Sequence, residues 1–241
     1  MKTIGVLGGL GPESTLNYYR LIIDLCRKKG LGGNYPEIII YSLNFKECHD
    51  LQESGRHTEL VAKLVGGTQS LHRAGADFAL IASNTPHIFF DEIRAKSPIP
   101  LLSIVEAACD AVANLPWHVA GQGRGLERVG LFGTRVTMQA DFFQKVFRRR
   151  NISVIVPEEE EQSYIDGKIF NELVLGKVVD ETKRGLLEIV GKMIERDSIE
   201  GLILGCTELS LIFPQNELGI PFFDTIKIHA QSALEYSLSG E

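Results

Sequence analysis

A cluster of small polar residues follows the apolar run Asp77–Ala82 and contains Ser83, Asn84 and Thr85. Hydroxyl, amide and backbone N–H groups gathered at the end of a buried strand can bind the carboxylate of a small ligand. The same residue types also cap helices, and a helix is predicted over 87–95. Capping of this helix is therefore the alternative explanation of the cluster.

A second cluster follows the apolar run Gly201–Leu204 and contains Cys206, Thr207 and Glu208. A cysteine at the start of a helix has a lowered pKa, so more of it is thiolate, which can act as a base or a nucleophile. The alternative for any single cysteine is an inert residue of the core. The polar neighbours favour a reactive Cys206, and we expect its pKa to be lowered.

The two clusters occupy matching positions in an internal repeat. Gly5 lies in the motif IGVLG, Gly130 lies in the similar motif VGLFG, and a helical pattern follows each motif. Ser83 comes 78 residues after Gly5, and Cys206 comes 76 residues after Gly130. Such a repeat indicates two similar structural units, each carrying one cluster. Chance similarity between α/β segments is the alternative.

Short apolar runs alternate with segments of helical periodicity along the whole chain. The predicted strands are 3–7, 37–43, 77–82, 129–132, 154–156, 201–204 and 222–223. The predicted helices are 12–28, 58–73, 87–95, 104–113, 138–149, 160–175, 177–196 and 225–238. The glycine-rich segment 115–125 is expected to be a surface loop.

This alternation predicts an α/β fold of two similar lobes, each a parallel sheet flanked by helices, related by internal pseudo-symmetry. The N-terminal lobe is predicted to contain 1–103 plus 221–241, and the C-terminal lobe 104–220. Ligands of open parallel sheets bind beyond the carboxyl ends of the strands. An active site is therefore expected in the cleft between the lobes, with Ser83 and Cys206 on opposite walls.

Several classes of function are disfavoured by composition and motifs. The net charge is −6 and the basic residues are scattered, so no nucleic-acid partner is expected. No apolar run reaches the roughly 18 residues of a membrane span. The glycine turn around Gly9 does not match G-x-G-x-x-G, which disfavours a dinucleotide and suggests a small anion near its backbone N–H groups. The adjacent pair Cys48-His49 is poorly spaced for zinc, so no metal is expected.

The cellular location is predicted from the N-terminal residues and the cysteines. The start, MKTIGVLGG, lacks the pattern of a secretory signal. The four cysteines are far apart and form no CxxC pair, which indicates free thiols. We therefore expect a cytoplasmic protein.

The motifs together resemble the aspartate/glutamate racemase family, which works without pyridoxal phosphate. The resemblance covers nearly the whole chain and is strongest to its broad-specificity aspartate/glutamate subgroup. The motifs that carry it are IGVLGGLGPEST at the start, SNTPH at 83–87, Gly133-Thr134 with Thr137, NELVLG at 171–176, GCTE at 205–208 and FDT at 223–225.

The resemblance implies a small amino-acid substrate, no cofactor and a homodimer. In this family each lobe supplies one acid/base residue, usually a cysteine, and the two act on opposite faces of the α-carbon. Cys206 matches one of these positions and Ser83 the other. The resemblance further implies that Asn84, Thr85 and Thr207 hold the α-carboxylate, that Thr134 and Thr137 line the site, and that Gln52 contacts the substrate.

Two departures from the family pattern affect these expectations. Ser83 has a hydroxyl, a far weaker acid than a thiol, so it could relay a proton through water, be an engineered Cys→Ser change, or mark a different reaction. The loop 46–52 lacks the arginine that holds the distal carboxylate in some relatives, and Tyr164 replaces a lysine. Lys168 could substitute for that lysine; a solvated helix charge is the alternative.

The predicted activity is therefore racemisation of aspartate or glutamate by two-base proton transfer at the α-carbon. A non-catalytic or engineered inactive binder of amino acids or dicarboxylates is the first alternative. A related isomerase that uses the thiol of Cys206 is the second.

Overall fold

The chain folds into two compact units in the computed structural model, which describes residues 1–115, 125–214 and 216–239. The first unit contains Met1–Ile104 and Ile226–Glu241, and the second contains Val105–Thr225. Most of the surface loop predicted at 115–125 lies outside the described residues. Among the described helices, none has the length and apolar character needed to cross a membrane.

Eight strands and the helices between them alternate along the described chain. The strands are β1 (Ile4–Gly8), β2 (Ile38–Ser42), β3 (Phe78–Ile81), β4 (Leu101–Leu102), β5 (Arg128–Phe132), β6 (Ser153–Ile155), β7 (Gly201–Leu204) and β8 (Phe222–Asp224). The helices are α1 (Pro12–Lys28), α2 (Phe45–Glu53), α3 (His57–Arg73), α4 (Phe90–Lys96), α5 (Ile104–Ala113), α6 (Arg135–Gln139), α7 (Phe142–Arg148), α8 (Glu159–Asn171), α9 (Asp180–Asp197), α10 (Leu209–Ile212) and α11 (Thr225–Leu238). Two 3-10 helices cover Thr85–Phe89 and Leu173–Leu175.

The first unit is built on a parallel sheet with strand order β2-β1-β3-β4. Successive side chains of a strand point to opposite faces of the sheet, and in the central strands both faces are buried. One face packs in a cluster with α1 and α11 through Ile4, Val6, Phe78 and Leu80, and the other packs with α3 and α4 through Leu7, Ala79 and Ile81. The last helix of the chain thus completes the core of the first unit.

The second unit repeats this topology with a parallel sheet of order β6-β5-β7-β8. Phe132, Leu202 and Leu204 pack against apolar residues of α8 and α9. The predicted α/β class, the parallel sheets and the internal repeat are therefore confirmed.

The unit boundary differs from the predicted one at a single strand. The prediction assigned 221–241 to the N-terminal lobe, but β8 pairs with β7 through Leu202–Phe222 and Leu204–Asp224. Because these ladder hydrogen bonds join β8 to the second sheet, the chain leaves the second unit only after Thr225.

Several predicted elements have different bounds in the structure. The single helix predicted over 138–149 is two helices, α6 and α7, separated by Ala140 in extended conformation. The helix predicted over 160–175 ends at Asn171 and is followed by a 3-10 turn. The prediction also missed α2 and the two-residue strand β4.

Candidate active site

The carboxyl ends of β1, β2 and β3 lie side by side in the first unit. Backbone pairing continues just past the strands, since Leu43 N donates to Gly8 O at 3.0 Å and Ala82 N donates to Leu7 O at 2.9 Å. The turn that contains Gly9 and the cluster that begins at Ser83 therefore leave neighbouring strands at one edge of the sheet.

Gly9 occupies a place where a side chain does not fit. Its φ is +80°, in the left-handed region that favours glycine, and a Cβ would overlap the carbonyl oxygen of Leu43. Its N–H donates to Thr15 Oγ1 at 3.0 Å. The glycine turn is thus fixed by α1 and by the neighbouring loop, but this N–H is already used inside the protein.

The Ser83 cluster leads directly into a 3-10 helix. Ser83 is half-buried, and Asn84 is 5% exposed. Asn84 occupies the N-cap position of the 3-10 helix Thr85–Phe89, but its side chain makes no capping hydrogen bond. Capping of this helix therefore does not account for the asparagine side chain.

A buried histidine fixes the backbone of Ser83. His87 Nδ1 lies 2.9 Å from Ser83 O, and Ile104 N donates to His87 Nε2 at 3.2 Å. Because Nε2 accepts a hydrogen bond, Nδ1 must carry the ring proton and donate a hydrogen bond to the carbonyl. The neutral tautomer of His87 thereby holds the cluster against the first residue of α5.

A second buried histidine lies next to the first. His229 of α11 lies 2.7 Å from Tyr18 Oη through Nδ1 and 3.1 Å from Leu102 O through Nε2. The rings of His229 and His87 meet edge to face, with centroids 6.3 Å apart. Burial lowers the pKa of His87 to about 4, and burial together with repulsion from His87 lowers the pKa of His229 to about 3. Both are neutral at pH 7.

Gln52 lies in the last turn of α2 and is half-buried. It comes seven positions after Phe45, the first residue of α2, a distance of about 10 Å along the helix axis. A substrate that contacts Gln52, as predicted, would therefore have to extend over α2 as well as over the strand ends.

The second unit presents a similar group of residues at the ends of β5 and β7. Thr134 caps α6, and its Oγ1 lies 3.1 Å from Thr137 Oγ1. The Thr137 methyl group packs against Gly205, where a Cβ would lie 3.5 Å from it, and Gly205 N donates to Phe132 O at 2.7 Å. Thr134 and Thr137 are thus brought to the strand end that carries Cys206.

Cys206 shares one carboxylate with its neighbour Thr207. The thiol donates to Glu208 Oε2 at 2.9 Å, and the Thr207 hydroxyl donates to the same oxygen. Cys206 is half-buried and Thr207 is 9% exposed. The carboxylate therefore holds the thiol proton and fixes the orientation of both side chains.

The pKa of Cys206 is raised well above its ordinary value, so the predicted lowering is wrong. Burial is the largest cause, and the charge and hydrogen bond of Glu208 add to it. The helix that follows, α10, has only four residues and offers little dipole to oppose these effects. Cys206 is therefore a thiol in the resting protein.

Removing the charge of Glu208 should make Cys206 more reactive. In Glu208→Gln the pKa of the thiol should fall, and alkylation of Cys206 by iodoacetamide near pH 8 should be about tenfold faster, the effect of one pKa unit. Peptide mass analysis distinguishes Cys206 from the three buried cysteines. Glu160→Gln, which removes the same charge from an exposed site on α8, should leave the rate unchanged. Slower alkylation in Glu208→Gln would contradict this assignment.

Lys168 is engaged within the protein. Its Nζ lies 2.5 Å from Glu172 Oε1, with side-chain exposures of 26% and 21%, and Thr182 of α9 donates to the other oxygen of Glu172. Lys168 also lies over the ring of Tyr164. The lysine is therefore paired on the side of α8 that faces α9.

Sequence reasoning assigned no role to Glu208, His229 or Asp166. Glu208 stands two residues after Cys206, and this proximity was a usable signal. His229 is 211 residues away from its partner Tyr18, and nothing local to α11 indicates the pairing. Asp166 lies in α8 and accepts the backbone N–H of Arg135 at 2.7 Å, a contact that depends on how α8 and α6 pack.

A model of the Asp/Glu/hydantoin racemase family matches residues 7–233 of this chain. Among characterised proteins, the chain is similar to the broad-specificity amino-acid racemase RacX of Bacillus subtilis, with 26% identity over 98% of both chains. These matches span both units and both polar clusters.

Solved structures agree with these matches. An aspartate racemase homologue from Pyrococcus horikoshii superposes with a TM-score of 0.85 and 36% identity, covering 99% of this chain and all of that one. The aspartate racemase of Picrophilus torridus has the same fold, with a TM-score of 0.72 and 20% identity over 98% of this chain and 94% of that one. The chain belongs to the Asp/Glu/hydantoin racemase family.

Proposed function

We propose that this protein is a cofactor-independent amino-acid racemase that moves a proton at the substrate α-carbon. Cys206 acts on one face of that carbon and Ser83 on the other, each from its own unit. Asn84, Thr85 and Thr207 bind the α-carboxylate, while Thr134, Thr137 and Gln52 complete the site. Aspartate and glutamate, the substrates that the family resemblance implies, are the first to be assayed. The homodimer stays a prediction, and analytical ultracentrifugation would measure the mass of the protein in solution.

The observation that carries the proposal is the hydrogen bond between Cys206 and Glu208. Transfer of the thiol proton to Glu208 across 2.9 Å would leave a thiolate beside the hydroxyl of Thr207. A thiolate can take the α-proton and, as the resulting thiol, return it. The carboxylate thus supplies a way to form the base although the pKa of Cys206 is raised.

The opposite face depends on a hydroxyl. Ser83 cannot remain as an alkoxide near neutral pH, so a proton that it gives to the carbanion must be replaced by one from water in the same step. We therefore expect removal of the α-proton and its return from the Cys206 face to be faster than inversion. If Ser83 is instead an engineered replacement of a cysteine, the same slow inversion is expected of this chain.

Exchange of the α-proton in heavy water tests the proposal. Each enantiomer of aspartate and glutamate is incubated with the protein, and loss of the α-proton signal is followed by NMR while a chiral separation follows inversion. Exchange of one enantiomer without inversion assigns the activity to Cys206 alone. Absence of exchange in all four would contradict catalysis on these substrates.

Restoring a thiol on the other face should raise inversion. Ser83→Cys should increase the ratio of inversion to exchange by about tenfold or more, because positioned acid–base groups contribute roughly 10²–10⁴-fold to rates. Ser83→Ala is the matched control and should lower the ratio. An unchanged ratio in both variants would show that the second proton comes from elsewhere.

Ser83 also favours a second candidate, a binder of amino acids or dicarboxylates without catalysis. A binder would give saturable binding with no exchange, and Cys206→Ala would leave that binding unchanged. A Cys-dependent isomerase, the other alternative, would form a covalent adduct on Cys206 that mass analysis would detect.

A further inference from the structure

Helix α8 presents two chemically different faces. Tyr164, Lys168 and Glu172 follow one another at intervals of four residues, so they lie on one side of the helix. That side meets α9, since Thr182 donates to Glu172 and the Tyr164 hydroxyl lies directly over Gly185. The positive charge of Lys168 is therefore directed at α9 and is matched there by Glu172.

The other face of α8 carries carboxylates and reaches the end of β5. Asp166 is two positions from both Tyr164 and Lys168, about 200° around the helix. Its Oδ1 accepts the N–H of Arg135, the residue after Thr134, at 2.7 Å. Glu159, two turns earlier, pairs with the Arg135 guanidinium at 3.0 Å.

Short contacts connect Asp166 to the proposed reaction site. Arg135 follows Thr134, whose hydroxyl lies 3.1 Å from that of Thr137. Thr137 packs against Gly205, the residue before Cys206. The side chain of α8 that contacts this path is thus an aspartate, which offers no positive charge to a second carboxylate of the substrate.

The charged side chains named along this path sum to a negative charge. Asp166 and Glu208 each contribute one negative charge, while Arg135 is paired with Glu159 in a surface ion pair whose side-chain exposures are 43% and 82%. A second carboxylate brought by the substrate side chain would be repelled, whereas an ammonium or guanidinium group would be attracted. With an intermediate effective dielectric constant, one such charge a few ångströms away changes binding by roughly tenfold or more.

We infer that Asp166 determines substrate specificity and that the protein prefers amino acids with a basic or neutral polar side chain to aspartate and glutamate. This inference rests on the proposed function, because it places the substrate side chain beside the end of β5. It names the substrate class that the racemase scaffold alone leaves open.

A panel of amino acids tests this inference in the full chain. L-lysine, L-arginine, L-glutamine, L-aspartate and L-glutamate are compared by α-proton exchange in heavy water. We expect kcat/KM for lysine or arginine to exceed that for aspartate and glutamate by roughly tenfold or more. Preference for either acidic amino acid would overturn the inference.

Two variants separate a charge effect from a structural one. Asp166→Asn keeps an oxygen that can accept the Arg135 N–H but removes the charge, so it should lower kcat/KM for lysine and arginine about tenfold and change glutamine little. Lys168→Gln removes a charge from the opposite face of α8 and should leave the order of substrates unchanged. An equal loss on all substrates in Asp166→Asn would overturn the inference.

Binding measurements keep the two proposals distinguishable. If no amino acid exchanges, racemisation fails as the function, and ligand-detected NMR binding of the same panel decides the specificity. Tighter binding of lysine or arginine, weakened by Asp166→Asn, would support the role of Asp166 without catalysis. Equal binding of acidic and basic amino acids would overturn it.

Discussion

Cys206→Ala is expected to reduce α-proton exchange by roughly 10²–10⁴-fold, the contribution of a positioned acid–base group. The variant removes the only thiol at the proposed site, and a neighbouring hydroxyl such as Thr207 is too weak an acid to replace it. The loss should affect both enantiomers. In one enantiomer the thiolate removes the α-proton, and in the other the thiol donates a proton to the carbanion that forms when the α-proton leaves from the opposite face. Heavy-water exchange measured by NMR gives the rate directly.

A second cysteine provides the control for this experiment. Cys26 is fully buried near the C-terminal end of α1 and packs in the core of the first unit, so Cys26→Ala makes the same chemical change away from the proposed site. It should exchange at a rate close to that of the unaltered protein. Full activity in Cys206→Ala, with circular dichroism showing the same fold, would remove Cys206 from the reaction.

Acidification between pH 7 and pH 5 is expected to destabilise the fold through two histidines. The pKa of His87 falls from 6.5 to about 4 on folding, and that of His229 to about 3. Between these values the unfolded chain binds protons that the folded protein excludes. The stabilisation is therefore complete above pH 6.5 and is lost progressively as the pH falls toward 4. Linkage gives a loss of about 2 kcal/mol for each histidine between pH 7 and pH 5.

Urea unfolding at the two pH values measures this loss. His229→Gln removes one of the two imidazoles, and the difference in unfolding free energy between pH 7 and pH 5 should fall by about half. His72→Gln, at an exposed position of α3, is the control and should keep the full difference. NMR titration provides a check that does not depend on the variant's fold: the His87 and His229 resonances should not titrate between pH 7 and pH 5.

Local periodicity was sufficient to predict many elements of the fold. The bounds of α1, α5, α11 and β7 agree with the prediction. Apolar residues recur at helical spacing in α1, and β7 is a short continuous apolar run. Helix α2 was missed because only Cys48 of its nine residues is buried, so it carries almost no periodic apolar signal. The two-residue strand β4 is too short to show any period.

The candidate site was predicted only as far as local sequence and the repeat could place it. Strand ends can be located from sequence, and so can the polar residues that follow them. Charge partners depend on the rotational position of each helix and on what packs against it. Lys168 and Asp166 are two residues apart, but one meets α9 and the other meets the end of β5. The raised pKa of Cys206 arises from a side-chain rotamer of Glu208, which no spacing rule specifies.

The position of α11 has a consequence for folding of the protein during its synthesis on the ribosome. Ile226, Ala230, Ala233 and Leu234 fill the core between α1 and the first sheet, and they are translated after every other described element. The segment 105–225 forms a continuous unit that can fold as soon as it emerges. The first unit, by contrast, keeps one flank of its sheet uncovered until the residues of α11 have been made, the reverse of the usual order in which N-terminal domains fold first. During synthesis the exposed Val6 and Leu80 face of β1 and β3 is therefore the surface that a chaperone would have to shield.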